Sequence, residues 1–309
     1  MKVVFMGTSE FAVPSLTKII EAGYPVIGVV TQPDRPSGRG KKLKPSPVKE
    51  TAAGLGLEVF QPQRIRDEDA IDVIRNWGAD LIVVVSFGQI LPPEILDLPR
   101  LGCINLHASL LPHYRGAAPI QRAIMAGDKV TGVTTMFMDA GLDTGDIILQ
   151  KPVDLDEEMD HGQISDLLAQ VGAEILIDTM AIIASGSTPR RRQDNHRTNY
   201  APMLTRADEK IDWNRDAGAI RNQIRALSPH PAAYTGLGEH QFKIYKSRIV
   251  DHDAVGTPGQ VAAITPDGFQ VETSKGILEI LEVQRPGKKR ISSHEFLKGF
   301  RILPGDMLG

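Results

Sequence analysis

Residues 105–116 read Asn-Leu-His-Ala-Ser-Leu-Leu-Pro-His-Tyr-Arg-Gly. An amide, an imidazole and a hydroxyl recur at every second position, as Asn105, His107 and Ser109. The apolar lead-in Leu101-Gly102-Cys103-Ile104 predicts a buried strand, and on a strand residues i, i+2 and i+4 share one face. The three groups should then project together from the strand's C-terminal end, where open α/β sheets bind ligands. Such a trio can bind a carbonyl oxygen and handle a proton. Leu110-Leu111-Pro112 should break the strand, with Arg115-Gly116 opening a helical stretch. A lone strand-end histidine is most often structural, satisfied by a backbone carbonyl. Three polar groups on one face are costlier to bury without a purpose.

A second polar cluster follows the strand-like run 131–137. It reads Met138-Asp139-Ala140-Gly141-Leu142-Asp143-Thr144-Gly145-Asp146, three carboxylates and two glycines within a tight loop. The spacing does not match an EF-hand, so calcium is not expected. Such a loop should bear at least one functional acid or a cation site. Asp139 and Asp146 read first as structural acids. Cys103, the single cysteine, sits in the apolar lead-in and reads as a buried structural thiol.

The elements that must carry these groups are legible as an alternation. Apolar runs at 3–6, 26–31, 59–60, 81–85 and 103–106 predict strands, with amphipathic helices at 13–22, 46–55, 68–77 and 117–126. This pattern predicts α/β architecture, a doubly wound and mostly parallel sheet in three layers. A long helix is expected over 160–186. The polar segment that follows, with four arginines, predicts a linker. Strand-like runs at 241–249, 259–264, 269–272 and 276–283, with helices at 217–226 and 292–299, predict a small β-barrel of oligonucleotide-binding type or a sandwich. The expected division is 1–188 catalytic, 189–205 linker and 206–309 a second domain.

The chain has 309 residues, 24% of them charged, and a net charge of −3. That charge argues weakly against a nucleic-acid partner, but residues 201–309 carry 15 Lys and Arg against 13 Asp and Glu. Basic clusters stand at Arg35/Arg39/Lys41/Lys42/Lys44/Lys49, at Arg190/Arg191/Arg192/Arg197 and at Arg285/Lys288/Lys289/Arg290. Each could be solvated surface; three in loops suit an acidic partner touched at several points. The composition suggests no membrane-length apolar run, and no leader is evident, so a cytoplasmic monomer is expected. The turn after the first strand lacks G-x-G-x-x-G and there is no P-loop lysine, which argues against a dehydrogenase.

Asn105-x-His107-x-Ser109-Leu-Leu-Pro followed by Leu142-Asp143-Thr-Gly resembles the active-site signature of folate-dependent formyltransferases. Gly7-Thr8-Ser9-Glu10-Phe11-Ala12, Thr31-Gln32-Pro33-Asp34-Arg35-Pro36, the 38–42 loop, Ser46-Pro47-Val48-Lys49 and 86–92 are similar to the methionyl-tRNA formyltransferase family. The resemblance continues through Tyr200-Ala201-Pro202, Ile211-Asp212-Trp213 and Gly305. His113 stands where arginine is usual, and His230 where tryptophan is usual.

The resemblance implies Asn105, His107 and Asp143 as catalytic groups, with 10-formyltetrahydrofolate as cosubstrate and no metal. It implies folate binding by Phe87, Gly88, Gln89, Ile90 and Leu91, by Ser109, Leu110, Leu111 and Pro112, and by Asp139 and Gly141. Ser109 could equally orient His107. The acceptor would be the α-amine of methionine on initiator methionyl-tRNA. Arg35, Arg39, Lys41 and Lys42 would contact that tRNA from one loop, and Lys288, Lys289 and Arg290 from the second domain. Gly38 and Gly40 flank Arg39, a composition suited to a loop that orders on contact. A formyltransferase acting on glycinamide ribonucleotide or an amino-sugar nucleotide, or a non-catalytic RNA-binding protein, are the alternatives.

Overall fold

The computed structural model describes residues 1–37 and 42–309, apart from the side chains of Ser37 and Lys42. The chain forms two compact units. The first comprises Met1–Gly116, Val130–Asp154 and Ser165–Ala201; the second comprises Ala117–Lys129, Leu155–Ile164 and Pro202–Gly309.

Among the described residues nine strands precede the long helix: β1 (Val3–Gly7), β2 (Val26–Val30), β3 (Arg35–Ser37), β4 (Lys42–Lys44), β5 (Val59–Phe60), β6 (Leu81–Val85), β7 (Cys103–His107), β8 (Val130–Phe137) and β9 (Ile147–Asp154). The helices up to that point are α1 (Val13–Glu21), α2 (Pro47–Gly54), α3 (Glu68–Trp77), α4 (Pro93–Leu96), α5 (Pro119–Ala126) and α6 (His161–Ser185). Seven strands form one sheet in the order β5-β2-β1-β6-β7-β8-β9. The first five in that order run parallel; β8 is antiparallel to β7, and β9 to β8. The mostly parallel sheet matches the expected class. Strand β9 was not expected: only Ile147 and Ile148 of it are buried, and Gln150-Lys151-Pro152 interrupts any apolar pattern.

β1 and β6 are buried at every position, as central parallel strands must be. On one face Val4, Met6, Ile82, Val84 and Cys103 pack with Ile71 and Ile74 of α3 and Ile95 of α4. Burial pushes the Cys103 thiol up to about 12, which keeps it neutral and inert. On the opposite face Leu106 lies against α6: a Cβ on Gly172 would fall 2.7 Å from a Leu106 methyl. Helices therefore cover both faces of the sheet.

Helix α6 corrects one sequence expectation. It has 25 residues, long and apolar enough to cross a membrane by length and composition. Half of its most apolar window is buried, and Leu168, Ala173, Leu176 and Met180 are core residues. Its Thr179 hydroxyl shares a 2.7 Å hydrogen bond with Thr135 of β8. Those contacts make it a core helix of this fold.

The second unit adds β10 (Ala233–Leu237), β11 (His240–Asp251), β12 (Val261–Ile264), β13 (Phe269–Glu272), β14 (Ile277–Gln284) and β15 (Ile291–Ser292), with α7 (Arg206–Glu209), α8 (Ala217–Leu227) and α9 (Ser293–Gly299). Its antiparallel sheet runs β10-β11-β14-β13-β12, with β15 on β14. Residues 305–309 span the two edges: Leu308 bridges Leu237 of β10, and Met307 bridges Gln260 beside β12. The sheet is thus barrel-like, as expected. Phe242, Phe269, Phe296 and Ile220 lie in its core, and α5 packs on α8 with Met125 against that same core. Arg122 of α5 donates to both carboxylate oxygens of Asp208, at 2.6 and 3.1 Å, and holds that acid down to about 2.

Candidate active site

Strand order reverses beside β1, because β2 lies on one side of it and β6 on the other. Ligands of doubly wound sheets bind at the carboxyl ends of the strands around such a point. Within the first unit Asn105 and His107 stand near the carboxyl end of β7, next to β6, and His107 faces Asp143 there.

Asn105 and His107 lie on β7, two residues apart on the face opposite Leu106. The Asn105 amide is half-buried and makes no side-chain hydrogen bond among the described residues. His107 is buried. Its Nε2 lies 2.9 Å from the Tyr114 carbonyl, an acceptor, so this nitrogen carries a hydrogen. Its Nδ1 faces Asp143 Oδ2 at 3.7 Å. The Tyr114 carbonyl thus fixes Nε2 as a donor, and Nδ1 is left facing the carboxylate.

Asp143 adopts a left-handed backbone, φ 54°, on the loop between β8 and β9. Its Oδ2 accepts a 2.8 Å hydrogen bond from the Gly116 amide, which holds the carboxylate toward the imidazole. Gly145 is required by close approach, since a Cβ there would fall 1.8 Å from the Phe137 carbonyl oxygen. Asp139 caps the same loop, accepting from Thr144 Oγ1 at 2.6 Å and from the Gly141 amide at 3.0 Å.

Ser109 departs from the expected alternation. Strand β7 ends at His107, and the fully buried Ser109 hydroxyl donates to the His113 carbonyl at 2.6 Å. The turn is pinned from β8: Thr134 Oγ1 donates to Ser109 O at 2.6 Å and accepts from the Leu111 amide at 3.1 Å. Arg115-Gly116 does not open a helix. Arg115 is buried and bridges Tyr200, and α5 begins only at Pro119.

The 86–91 loop leaves β6 through left-handed Ser86 and Gly88, φ 49° and 85°. Its Phe87 carbonyl accepts from Thr8 Oγ1 at 2.8 Å and from Gln32 Nε2 at 3.3 Å, while Ile90 is left exposed. Gln32 in turn accepts from Arg35 at 3.2 Å. The Asp34 carboxylate is held below its usual range by hydrogen bonds from Gln61 and Lys49. Lys49 is therefore neutralised at the base of the basic loop. Arg39 and Lys41 lie outside the described residues, as does the Lys42 side chain. In the second unit Arg290 pairs with Glu282 and lies over the Tyr245 ring, while Lys288 and Lys289 are exposed.

Among the described residues no group of three or more His, Cys, Asp or Glu side chains could hold a metal ion. The segment expected as a linker contributes side chains that sequence reading missed. Gln193 is buried and bonds the Asp143 loop and Arg115, while Asn199 Oδ1 accepts from the Tyr114 amide at 2.6 Å. Their signal in sequence was slight, amides inside a polar run.

Residues 1–180 match the family model described as formyl transferase, and residues 203–301 match the formyl transferase C-terminal domain. A methionyl-tRNA formyltransferase of Moorella thermoacetica is 50% identical, covering 100% of this chain and 99% of its own. This chain belongs to the methionyl-tRNA formyltransferase family. Another member, from Syntrophomonas wolfei, is 47% identical over 100% of this chain and 99% of its own. The fold extends beyond the family. An N-formyltransferase from Helicobacter canadensis, solved with folinic acid and dTDP-3-aminofucose, superposes with a TM-score of 0.67 at 18% identity, over 91% of this chain and 99% of that one.

Proposed function

We propose that this protein transfers the formyl group of 10-formyltetrahydrofolate to the α-amine of methionine on initiator tRNA. The observation that carries the reading is the pairing of His107 with Asp143 beside Asn105, in a chain that matches relatives of this activity along its whole length. The amine attacks the formyl carbon, a new C–N bond forms, and the bond to folate N10 breaks. Asn105, whose amide makes no other side-chain hydrogen bond among the described residues, donates to the formyl oxygen as it gains charge. His107 joins it once its Nε2–H turns from the Tyr114 carbonyl to that oxygen, donors worth about 10²–10³-fold each in a preorganised site. Asp143 Oδ2 orients His107, and Oδ1 takes the proton leaving the amine through water. The proton ends on N10.

Folate would lie against Phe87, Gly88, Gln89, Ile90 and Leu91, the Ser109–Pro112 turn (Leu110 and Leu111 included), and Asp139 with Gly141. A related fold solved with folinic acid supports a folate donor. Arg35, Arg39, Lys41, Lys42, Lys288, Lys289 and Arg290 are the proposed tRNA contacts. In this reading residues 1–188 carry the chemistry, 189–205 link the domains, and 206–309 bind tRNA, in a cytoplasmic monomer that needs no metal and no membrane.

Formyl transfer measured with 10-formyltetrahydrofolate as donor tests this, with charged initiator tRNA, charged elongator tRNA and a dTDP-amino sugar as competing acceptors. Preference for initiator tRNA is expected. Equal or better use of the sugar amine, or no transfer at all, would refute it.

A further inference from the structure

Two loops must hold station for His107 and Asp143 to face each other, and neither is a regular element. The Asp143 loop joins β8 to β9. The other runs from Ser109 to Gly116 and supplies the Tyr114 carbonyl behind His107 and the Gly116 amide beneath Asp143. Both loops are bound by one short stretch of chain, residues 193–199.

Gln193 is the centre of it. Its Nε2 lies 2.9 Å from Asp143 O and 2.8 Å from Gly145 O, so the amide nitrogen bridges two carbonyls of the acid's own loop. Its Oε1 accepts from Arg115 Nε at 3.0 Å and from an Arg115 terminal nitrogen at 2.8 Å. Arg115 immediately precedes Gly116 and is buried, and a terminal nitrogen of its guanidinium also donates to Asn195 Oδ1 at 3.0 Å. A single primary amide thus fastens the histidine's loop to the acid's loop, with both its nitrogen and its oxygen used. A buried amide with every group satisfied costs little to keep and much to break.

We infer that Gln193 is a positioning residue that sets the Asp143–His107 geometry. Asn199 acts in the same way on the Tyr114 amide. The inference deepens the functional reading above and rests on it for its kinetic consequence.

Gln193→Glu in the full-length chain separates positioning from mere support. The carboxylate keeps an acceptor for Arg115 but has no hydrogens to give Asp143 O and Gly145 O. We expect a melting temperature within a few degrees of wild type and a kcat lower by about 10–100-fold. KM for each substrate should stay within about twofold. In an Asp143→Asn background the same change should lower kcat no further, because residues acting as a unit are not additive. Exchange of the Gly116 amide, read by NMR, needs no substrate: its protection should fall in Gln193→Glu, since that amide's partner is Asp143 Oδ2.

An undiminished kcat in an otherwise active enzyme, an equal loss in the Asp143→Asn background, or unchanged Gly116 protection would each overturn the inference. Wild-type protein that transfers no formyl group would instead overturn the functional reading, and Gly116 exchange would still decide the role of Gln193. Should Gln193→Glu not fold, Gln193→Asn takes its place with the same readouts and the same refuting results, being too short to span both loops.

Discussion

Replacing Gly145 with alanine tests the most demanding contact at the site. The added Cβ would lie 1.8 Å from the Phe137 carbonyl oxygen and 2.8 Å from its carbon. Carbon and carbonyl oxygen in close contact sit about 3.3 Å apart, so the two must separate by about 1.5 Å. Phe137 cannot yield easily, because it ends β8 in register with Ile104 of β7. The loop must move instead, and Asp143 is only two residues away. His107 Nδ1 and Asp143 Oδ2 already stand 3.7 Å apart, and the Gly116 bond to Asp143 measures 2.8 Å. A displacement of about 1 Å at a catalytic group costs on the order of 10²-fold in rate.

We therefore expect Gly145→Ala to lower kcat for formyl transfer by about 10²-fold or more. The stability cost should be only about 1–3 kcal/mol, as for other overpacked sites. Gly54→Ala is the control: nothing lies within 4 Å of that Cβ, the residue ends α2, and kcat should be unchanged. Steady-state transfer and thermal melts on both variants decide the matter. A Gly145→Ala enzyme with kcat within about threefold of wild type would show that the loop absorbs the methyl without moving Asp143, and the positional argument would fail.

His107→Ala and Asp143→Asn should each lower kcat by ~10²-fold or more while folate affinity, read by equilibrium binding, changes little. Near-normal kcat in either variant would remove that residue from the chemistry. Asp208, whose carboxyl is held near 2 by Arg122 against an ordinary 3.8, has a depressed folded value. Its contribution is complete above 3.8 and is lost as pH falls toward about 2. After allowance for its partial exposure this is worth about 1–2 kcal/mol. Melting curves of wild type and Asp208→Asn should differ by a constant gap above about pH 4 and converge near pH 2; a gap that persists at pH 2 would contradict the assignment. Arg39→Ala should reduce kcat/KM for charged tRNA by roughly 2–4 kcal/mol and leave folate binding intact. Unaltered kinetics would move the acceptor contact elsewhere.

Legibility in the sequence followed how much each element had to bury. β1, β6 and β7 were readable because parallel strands covered on both faces are continuous apolar runs. β9 was not, since an edge strand is specified by its pairing with β8 and needs little apolar surface of its own. α5 was readable as a helix, but its apolar stripe carries no address. Met125 lies against the core of the second unit, although the helix stands in sequence between β7 and β8.

The site divides along the same line. His107 stood out because an imidazole at a strand end is chemically conspicuous, and Asp143 was told from the other two acids of its loop by the motif Leu142-Asp143-Thr144-Gly145. Gln193, Asn195 and Asn199 are ordinary polar residues inside an arginine-rich run, and such a run is what a solvated linker also looks like. Their distinguishing property is relational: each amide meets a backbone or guanidinium group that lies about 50 to 85 positions away along the chain. Composition cannot encode that pairing, and hydrogen-bond demand can. A buried arginine and a loop turned through a left-handed aspartate both require partners that the sheet does not supply. A polar segment with no apolar face, running beside an active site, is the place to look for them.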